Sequence, residues 1–250
     1  MSALNRSLGM LRSLAIYHGV PGRAARTRRF YAPFVPAGGL AFDVGAHAGN
    51  RVRAFRALGA RVVAVEPQPD FVRLLQLLFG RDPAVALLPV ALGRCPGEAQ
   101  LLASERTPTV STLSADWAQR AGASDSFRGV QWQPGPVVPV TTLDALIERH
   151  GRPDFVKIDV EGYELEVLQG LSRPLPALSF EYLEPVRELA LGCIARLEAL
   201  GRYRYNWSVG ESLRLVHPRG LDAAGMAQWL AALPAGAPSG DIHARLDSED

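Results

Sequence analysis

Residues 40–50 read LAFDVGAHAGN, and the folding of this stretch decides the architecture. Leu40, Ala41, Phe42 and Val44 form a short apolar run, the pattern of a strand buried on both faces. A glycine-bearing turn follows, then Val52, Phe55 and Leu58 at helical spacing, and Gly59 closes the helix. Arg61 to Val65 reads as a second buried strand. Asp70 is placed to cap a helix whose apolar side carries Phe71, Leu74, Leu75 and Leu78. Val85 to Val90 reads as a third strand, and Ala91 to Ala103 as a hairpin turning at Pro96-Gly97. The same rhythm resumes at residue 141. Thr142 caps a helix through Ile147, Asp154 to Asp159 is a strand, and Gly162 to Leu171 a helix. Ala177 to Tyr182 is a strand and Val186 to Leu200 a helix. The tail offers strands near Tyr203–Trp207 and Leu213–His217, a helix around Leu221–Leu233 and a last strand near Ile242–Leu246. Apolar strands alternating with helices predict one doubly wound α/β domain with a mostly parallel sheet.

Composition is consistent with that reading. The 250 residues are 48% hydrophobic and 21% charged with a net charge of +2, which suits a buried core and excludes disorder for most of the chain. No apolar run reaches about 18 residues, so no membrane span is expected. Cys95 and Cys193 lack any pairing or ligand spacing, which argues against a disulfide scaffold or a zinc site and fits a reducing cytoplasm. Residues 1–37 form a basic extension, with six arginines and no acid in the first 35 residues, read as a folded helix beside the main domain, 38–250. Residues 104–140 lack periodicity and are rich in Ser, Thr, Gln, Gly and Pro, the mark of a lid or functional loop. Ser111-Thr112-Leu113 suits a cover over an acceptor. Trp117 and Trp132 flank it, either stacking on a ligand or anchoring the loop. Of the 27 basic residues, Lys157 is the only lysine.

In a doubly wound sheet, ligands bind at the carboxyl ends of the strands. A dinucleotide turn wants three glycines, whereas this one has Gly45 and Gly49 with His47 between them. Asp43 precedes it, where it would oppose a phosphate but suit a positive amino group. The glycines let the chain pass close to a ligand. Glu66, followed by Pro67, ends the second strand, where a carboxylate can accept the two hydroxyls of a ribose. A ligand with a ribose, an amino group and no phosphate points to S-adenosylmethionine.

The runs FDVGAHAGN, VVAVEPQPDFVRLL, TTLDAL and DFVKIDVEGYELEVLQG together resemble the FkbM-type S-adenosylmethionine-dependent methyltransferases, over roughly residues 38–182. KIDVEGYE is the most specific piece. The resemblance implies a class I methyltransferase, Rossmann-like, with a seven-stranded sheet ending in an antiparallel strand. It also implies O-methylation of sugars or related natural products. Asp43, Gly45, Ala46, His47, Gly49, Asn50, Glu66 and Pro67 would contact the cofactor, and Val90-Ala91-Leu92 would lie along its adenine. The family commonly has Asn at the position of His47.

Methyl transfer from a sulfonium is an in-line displacement, and a sugar hydroxyl benefits from a positioned base. Period-two alternation puts Lys157, Asp159 and Glu161 on one side if the fourth strand runs that far. Asp159 is expected nearest the transferring methyl, with Glu161 sharing the base role or holding the acceptor. Lys157 would orient Asp159 or assist deprotonation. Mg²⁺ on Asp159, Glu161 and Glu181 is the lesser alternative, because no dedicated ligand loop is visible. His47 is a further candidate base, though a turn histidine more often bonds backbone. His217 and His243 read as structural, and Tyr203, Tyr205 and Trp207 as a half-buried sheet face. The acceptor is expected to be a small molecule or glycan.

Two rivals fare worse. An NAD-dependent oxidoreductase wants the third glycine and a hydride-transfer constellation. A nucleic-acid methyltransferase often carries an Asn/Asp-Pro-Pro-aromatic loop where Asp159-Val160-Glu161-Gly162 stands, and a net charge of +2 gives no broad phosphate-binding surface.

Overall fold

The computed structural model describes residues 22–104, 107–124 and 127–247. Strands β1 (Leu40–Val44), β2 (Arg61–Val65) and β3 (Val85–Leu88) stand where the apolar runs place them. Helices α1 (Arg23–Tyr31), α2 (Asn50–Ala57) and α3 (Pro69–Phe79) precede or join them. Pro69 opens α3 after Gln68, so Asp70 sits inside the first turn and is not the cap. Leu78 is exposed, because Phe71 and Leu75 alone complete that helix's buried face.

The chain then builds a small second sheet from β4 (Ala91–Leu92), β5 (Gly97–Ser104) and β6 (Trp132–Thr141). The expected 91–103 hairpin does not form. β4 and β5 instead flank β6, parallel on one side and antiparallel on the other. The 104–140 segment is therefore more ordered than its composition predicts. It holds β6 and helix α4 (Ala115–Gly122), which Ser114 caps through the amide of Trp117.

Helix α5 (Leu143–His150) is capped by Thr142 and leads into β7 (Phe155–Ile158). Then come α6 (Glu164–Gln169), β8 (Ala177–Tyr182), α7 (Arg187–Glu198), β9 (Tyr203–Val209), α8 (Ala223–Ala231) and β10 (Gly240–Leu246). Residues 213–217 form no strand. Leu215 and Val216 face solvent, and Pro218 follows.

The main sheet has the order β3-β2-β1-β7-β8-β10-β9, with β10 antiparallel to both neighbours and the other pairings parallel. Alternate residues of β1 divide the core. Leu40, Phe42 and Val44 face a cluster with Leu146, Leu168, Ile194 and Leu230, whereas Ala41 faces Tyr31, Val52 and Phe55. Tyr31, Phe34 and Val35 lie inside the second cluster with Phe155, so residues just before the 37/38 boundary share the domain's core. Residues 1–21 of the expected extension lie outside the described residues.

On the α1–α2 side of the sheet, neighbouring strands carry a polar row. Asp43 pairs with Lys157, Lys157 with Ser179, and Ser179 with His243. All four are at most 2% exposed. A row of this kind inside a core costs free energy unless each group is paired. It positions the site.

Candidate active site

The first turn is held by its neighbours. The Gly45 and Ala46 amides donate to the carbonyl of Val65, and the Asp159 amide donates to that of Val44. Gly45 has φ +81°, and a Cβ there would overlap the carbonyl oxygen of Asp159. Its glycine is demanded by the adjoining strand end. Gly49, with φ +76°, lies against α3, where a Cβ would stand 2.6 Å from the Phe79 ring and 2.9 Å from Leu75. It serves packing between helices.

Glu66 ends β2 with 1% exposure. Its Oε2 accepts the His47 amide at 2.9 Å, and its Oε1 accepts the Gln68 amide at 2.8 Å. Burial pushes its carboxyl up, and the nearby His47 and these amides work against that push. Each oxygen keeps a lone pair for a further donor. Gly45, His47, Glu66, Pro67, Ala91 and Leu92 line one cavity together with Asp159, whereas Asp43, Ala46, Gly49 and Asn50 are not among its lining residues. Gln68, Leu101, Val160 and Tyr163 also line it and carried no sequence signal of their own.

Ser111, Thr112 and Leu113 line the same cavity. Ser111 Oγ lies 3.0 Å from Gln68 Oε1, and Thr112 Oγ1 donates to the Glu161 carbonyl at 2.6 Å. The cavity is open to solvent on one side. Trp117 is 1% exposed and packs on Phe127 and Trp132, and Trp132 Nε1 donates to the Val110 carbonyl. The tryptophans anchor the segment.

At the adjoining strand end, β7 stops at Ile158, so the alternation expected through Glu161 does not continue. A turn replaces it. Glu161 takes φ +54° and Gly162 φ +87°, and a Cβ on Gly162 would overlap the Trp117 side chain. This turn still brings Glu161 to Asp159. One carboxylate oxygen from each of Asp159, Glu161 and Glu181 lies within 4.8 Å of the others.

The charge partners of Asp159 are Arg51, from the start of α2, and Lys157, two residues before it. Arg51 Nη1 sits 2.9 Å from Asp159 Oδ2, and Arg51 also reaches Glu211 at 3.9 Å. Lys157 Nζ lies 2.8 Å from Asp241 Oδ1, 3.0 Å from the Ile158 carbonyl and 3.8 Å from Asp159. Burial alone would raise the Asp159 carboxyl, but Lys157 and Arg51 overcome it and hold the group well below the carboxylate range. Burial disfavours the Lys157 ammonium, yet Asp159 and Asp241 more than offset this and keep it charged. Burial raises Glu161 and Glu181, and neighbouring acids raise them further. Burial pushes Asp43 up to about 7 against the pull of Arg51, and both of its oxygens are buried without a hydrogen-bond partner. Arg51 had a readable signal, a charge on the helix face that also carries Phe55.

His243 is buried against Phe34 and Phe30, with Nε2 3.2 Å from Ser208 Oγ and Nδ1 unpartnered, and burial pushes it down to about 4. Tyr203, Tyr205 and Trp207 are buried on β9, and His217 stacks beside Trp207.

A parallel sheet reversing direction at β1, with an antiparallel strand inserted next to its far edge and acids at its strand ends, is the architecture of the class I methyltransferases. Residues 43–186 match the model of the methyltransferase FkbM domain. The chain belongs to the FkbM methyltransferase family. It is similar to the hexuronic acid methyltransferase AglP of Haloferax volcanii, 27% identical over 145 residues, 57% of this chain and 54% of that protein. The chain thus spans about half the length of that relative. Among solved structures it is similar to a TehB-like SAM-dependent methyltransferase from Corynebacterium glutamicum, at TM-score 0.48 and 10% identity over 95% of this chain and 94% of that one. It is also similar to an O-methyltransferase from Bacillus cereus in complex with SAH, at TM-score 0.45 and 14% identity over 98% and 89%. Among the described residues, no helix is long and apolar enough to cross a membrane.

Proposed function

We propose that the protein is an S-adenosylmethionine-dependent O-methyltransferase acting on a hydroxyl of a sugar or glycan-like acceptor. The observation that carries this reading is the position of Asp159. It lines the same cavity as Glu66 and belongs to the carboxylate group with Glu161 and Glu181. The carboxyl ends of β2 and β7 would therefore offer a ribose acceptor near a place for an acceptor hydroxyl. Glu66 would take the ribose hydroxyls, Asp43 would face the ligand's amino group from behind the turn, and Ala91 and Leu92 would flank the adenine. Family membership and the name of the Haloferax volcanii relative support the sugar-type acceptor.

The donor's carbon–sulfur bond breaks as the acceptor oxygen attacks the methyl in line, and the hydroxyl proton must leave. Asp159, tied to two cations, is a constant anion that orients the acceptor and binds a proton weakly. Among the described residues no cation pairs with Glu161, which makes it the better proton acceptor. Calorimetry with S-adenosylmethionine and with NAD tests the cofactor. Binding of the sulfonium alone is expected, and binding of NAD with no response to the sulfonium overturns the reading. Mass spectrometry of a lysate given isotopically labelled methyl donor then identifies the acceptor and the methylated atom.

A further inference from the structure

A second cleft lies on the α1 side of β9 and β10, and it shares no lining residue with the cavity of Glu66 and Asp159. Its volume is about 540 Å³, within the roughly 300–1,000 Å³ of small-molecule sites. Four arginines line it, Arg204, Arg214, Arg219 and Arg245, and no acid does. Of the acids near them in sequence, Glu211 is held by Arg23 and Arg51, and Asp241 by Lys157. Asp222 caps α8, and Asp247 follows the end of β10 outside the lining. Arg204 and Arg245 stand directly opposite each other on the two strands. Like charges in that position destabilise a sheet unless an anion answers them.

The loop that carries Arg214 and Arg219 is pinned to β9. The Asn206 side chain donates to the His217 carbonyl and accepts the His217 amide, and the Val216 amide donates to the Trp207 carbonyl. Arg204 and Arg245 each donate to a backbone carbonyl, of Gly220 and Pro33. Among the described residues, no hydrogen bond or ion pair engages the side chain of Arg214 or Arg219. A second observation points to a ligand independently of charge. His243 also lines the cleft at 2% exposure, and its Nδ1 is buried without a hydrogen-bond partner. A buried polar nitrogen in this state is costly until something pairs with it. Phe30, Phe34 and Leu215 add apolar surface to the same lining.

Guanidinium forks match the paired oxygens of carboxylates and phosphates. One carboxylate has a single charge and two oxygens, too few for four arginines. A diphosphate has the charge and the oxygens to engage them all. We infer that this cleft binds an organic diphosphate, of the nucleoside diphosphate class, whose ring lies against Phe30 and Phe34. Arg214 and Arg219 take the phosphate oxygens with their unused donors, and Arg204 and Arg245 add the donors that the two carbonyls leave over. Binding here is separate from methyl transfer, because the two sites have no residue in common.

Calorimetry on the full-length protein with uridine diphosphate and with inorganic pyrophosphate tests the site. One uridine diphosphate per chain is expected, bound more tightly than pyrophosphate because of the apolar lining, and weakened by added salt. Arg214→Gln and Arg219→Gln should each weaken it at least tenfold. Both arginines are exposed, so their replacement spares the fold, and circular dichroism checks this. Arg81→Gln removes the same charge next to β3, at the opposite edge of the sheet, and should bind as the parent does. No binding by the parent, or undiminished binding by both folded variants, overturns the inference. Displacement of uridine diphosphate by S-adenosylmethionine also overturns it, because the ligand would then occupy the cavity of Glu66. Binding to phosphatidylglycerol vesicles with no response to either soluble diphosphate would make this face a lipid-binding surface and refute a small-ligand site.

Discussion

Replacing Gly45 by alanine tests whether the cofactor turn and the catalytic strand end are one rigid unit. Two costs arise there. The backbone φ of +81° is strained for any residue with a Cβ, by about 1–2 kcal/mol. The new methyl would also overlap the Asp159 carbonyl, far inside 3.0 Å, the closest that real Cβ atoms come. To regain ordinary contact at 3.4–4 Å, the carbonyl must withdraw by more than an ångström. Forcing an extra methyl into a packed site adds roughly 1–3 kcal/mol. Gly38 supplies the control, because it has φ +76° with nothing within 4 Å, so Gly38→Ala carries the backbone cost alone. Urea unfolding should therefore find Gly45→Ala less stable than Gly38→Ala by about 1–3 kcal/mol. Methyl transfer should fall about a hundredfold in Gly45→Ala, since a displacement of about 1 Å at a reacting centre costs on that order. If the two variants unfold alike and transfer methyl alike, the turn does not set the position of Asp159.

Three further outcomes are expected. Asp43 holds its proton to about 7 in the folded chain against 3.8 for the free group, so it makes the parent lose stability as pH rises through that interval. Asp43→Asn removes this slope, and urea unfolding at pH 5 and pH 8 should show the variant gaining on the parent by on the order of 2–3 kcal/mol; an unchanged difference refutes the burial argument. Glu66→Gln should weaken S-adenosylmethionine binding by at least tenfold, about 1.4 kcal/mol, with circular dichroism unchanged, and parent-like calorimetry would take Glu66 out of the cofactor site. Lys157→Met leaves Asp241 and Asp159 without their buried ammonium and should destabilise the chain by roughly 3–5 kcal/mol, a loss that thermal unfolding would miss only if the ion pair were dispensable.

Strands β2 and β8 of the main sheet were readable because they are buried at nearly every position and carry β-branched or aromatic residues. RVVAV of β2 and ALSFEY of β8 coincide with the elements the pattern predicts. β6 was not readable, for a physical reason. Its sequence WQPGPVVPVT has three prolines and a largely exposed face, which hides both the alternation and the donors a strand is recognised by. Prolines are tolerated there because β4 pairs only with Val140 and Thr141, leaving Pro134 and Pro136 on a strand with a single neighbour. The reverse error arose at Leu213–His217, where apolar residues face solvent and no ladder forms.

The site divides along the same line. Lys157, Asp159 and Glu161 lie within five residues, so their proximity is a property of the local chain, although the left-handed turn that joins them is not. What each carboxylate does chemically depends on partners that only the tertiary fold supplies. Arg51 arrives from the start of α2, and Asp241 from β10, 84 residues beyond the lysine it holds. These two residues separate the acids into an anion locked between cations, Asp159, and a pair without any, Glu161 and Glu181. Lys157 itself is more closely bound to Asp241 than to Asp159, 2.8 Å against 3.8 Å. At 0% exposure, a compact ammonium fits between β1 and β8, where a planar guanidinium with five donors would leave several unpaired. The lone lysine in an arginine-rich chain is therefore accounted for by the space and donor count of one buried position.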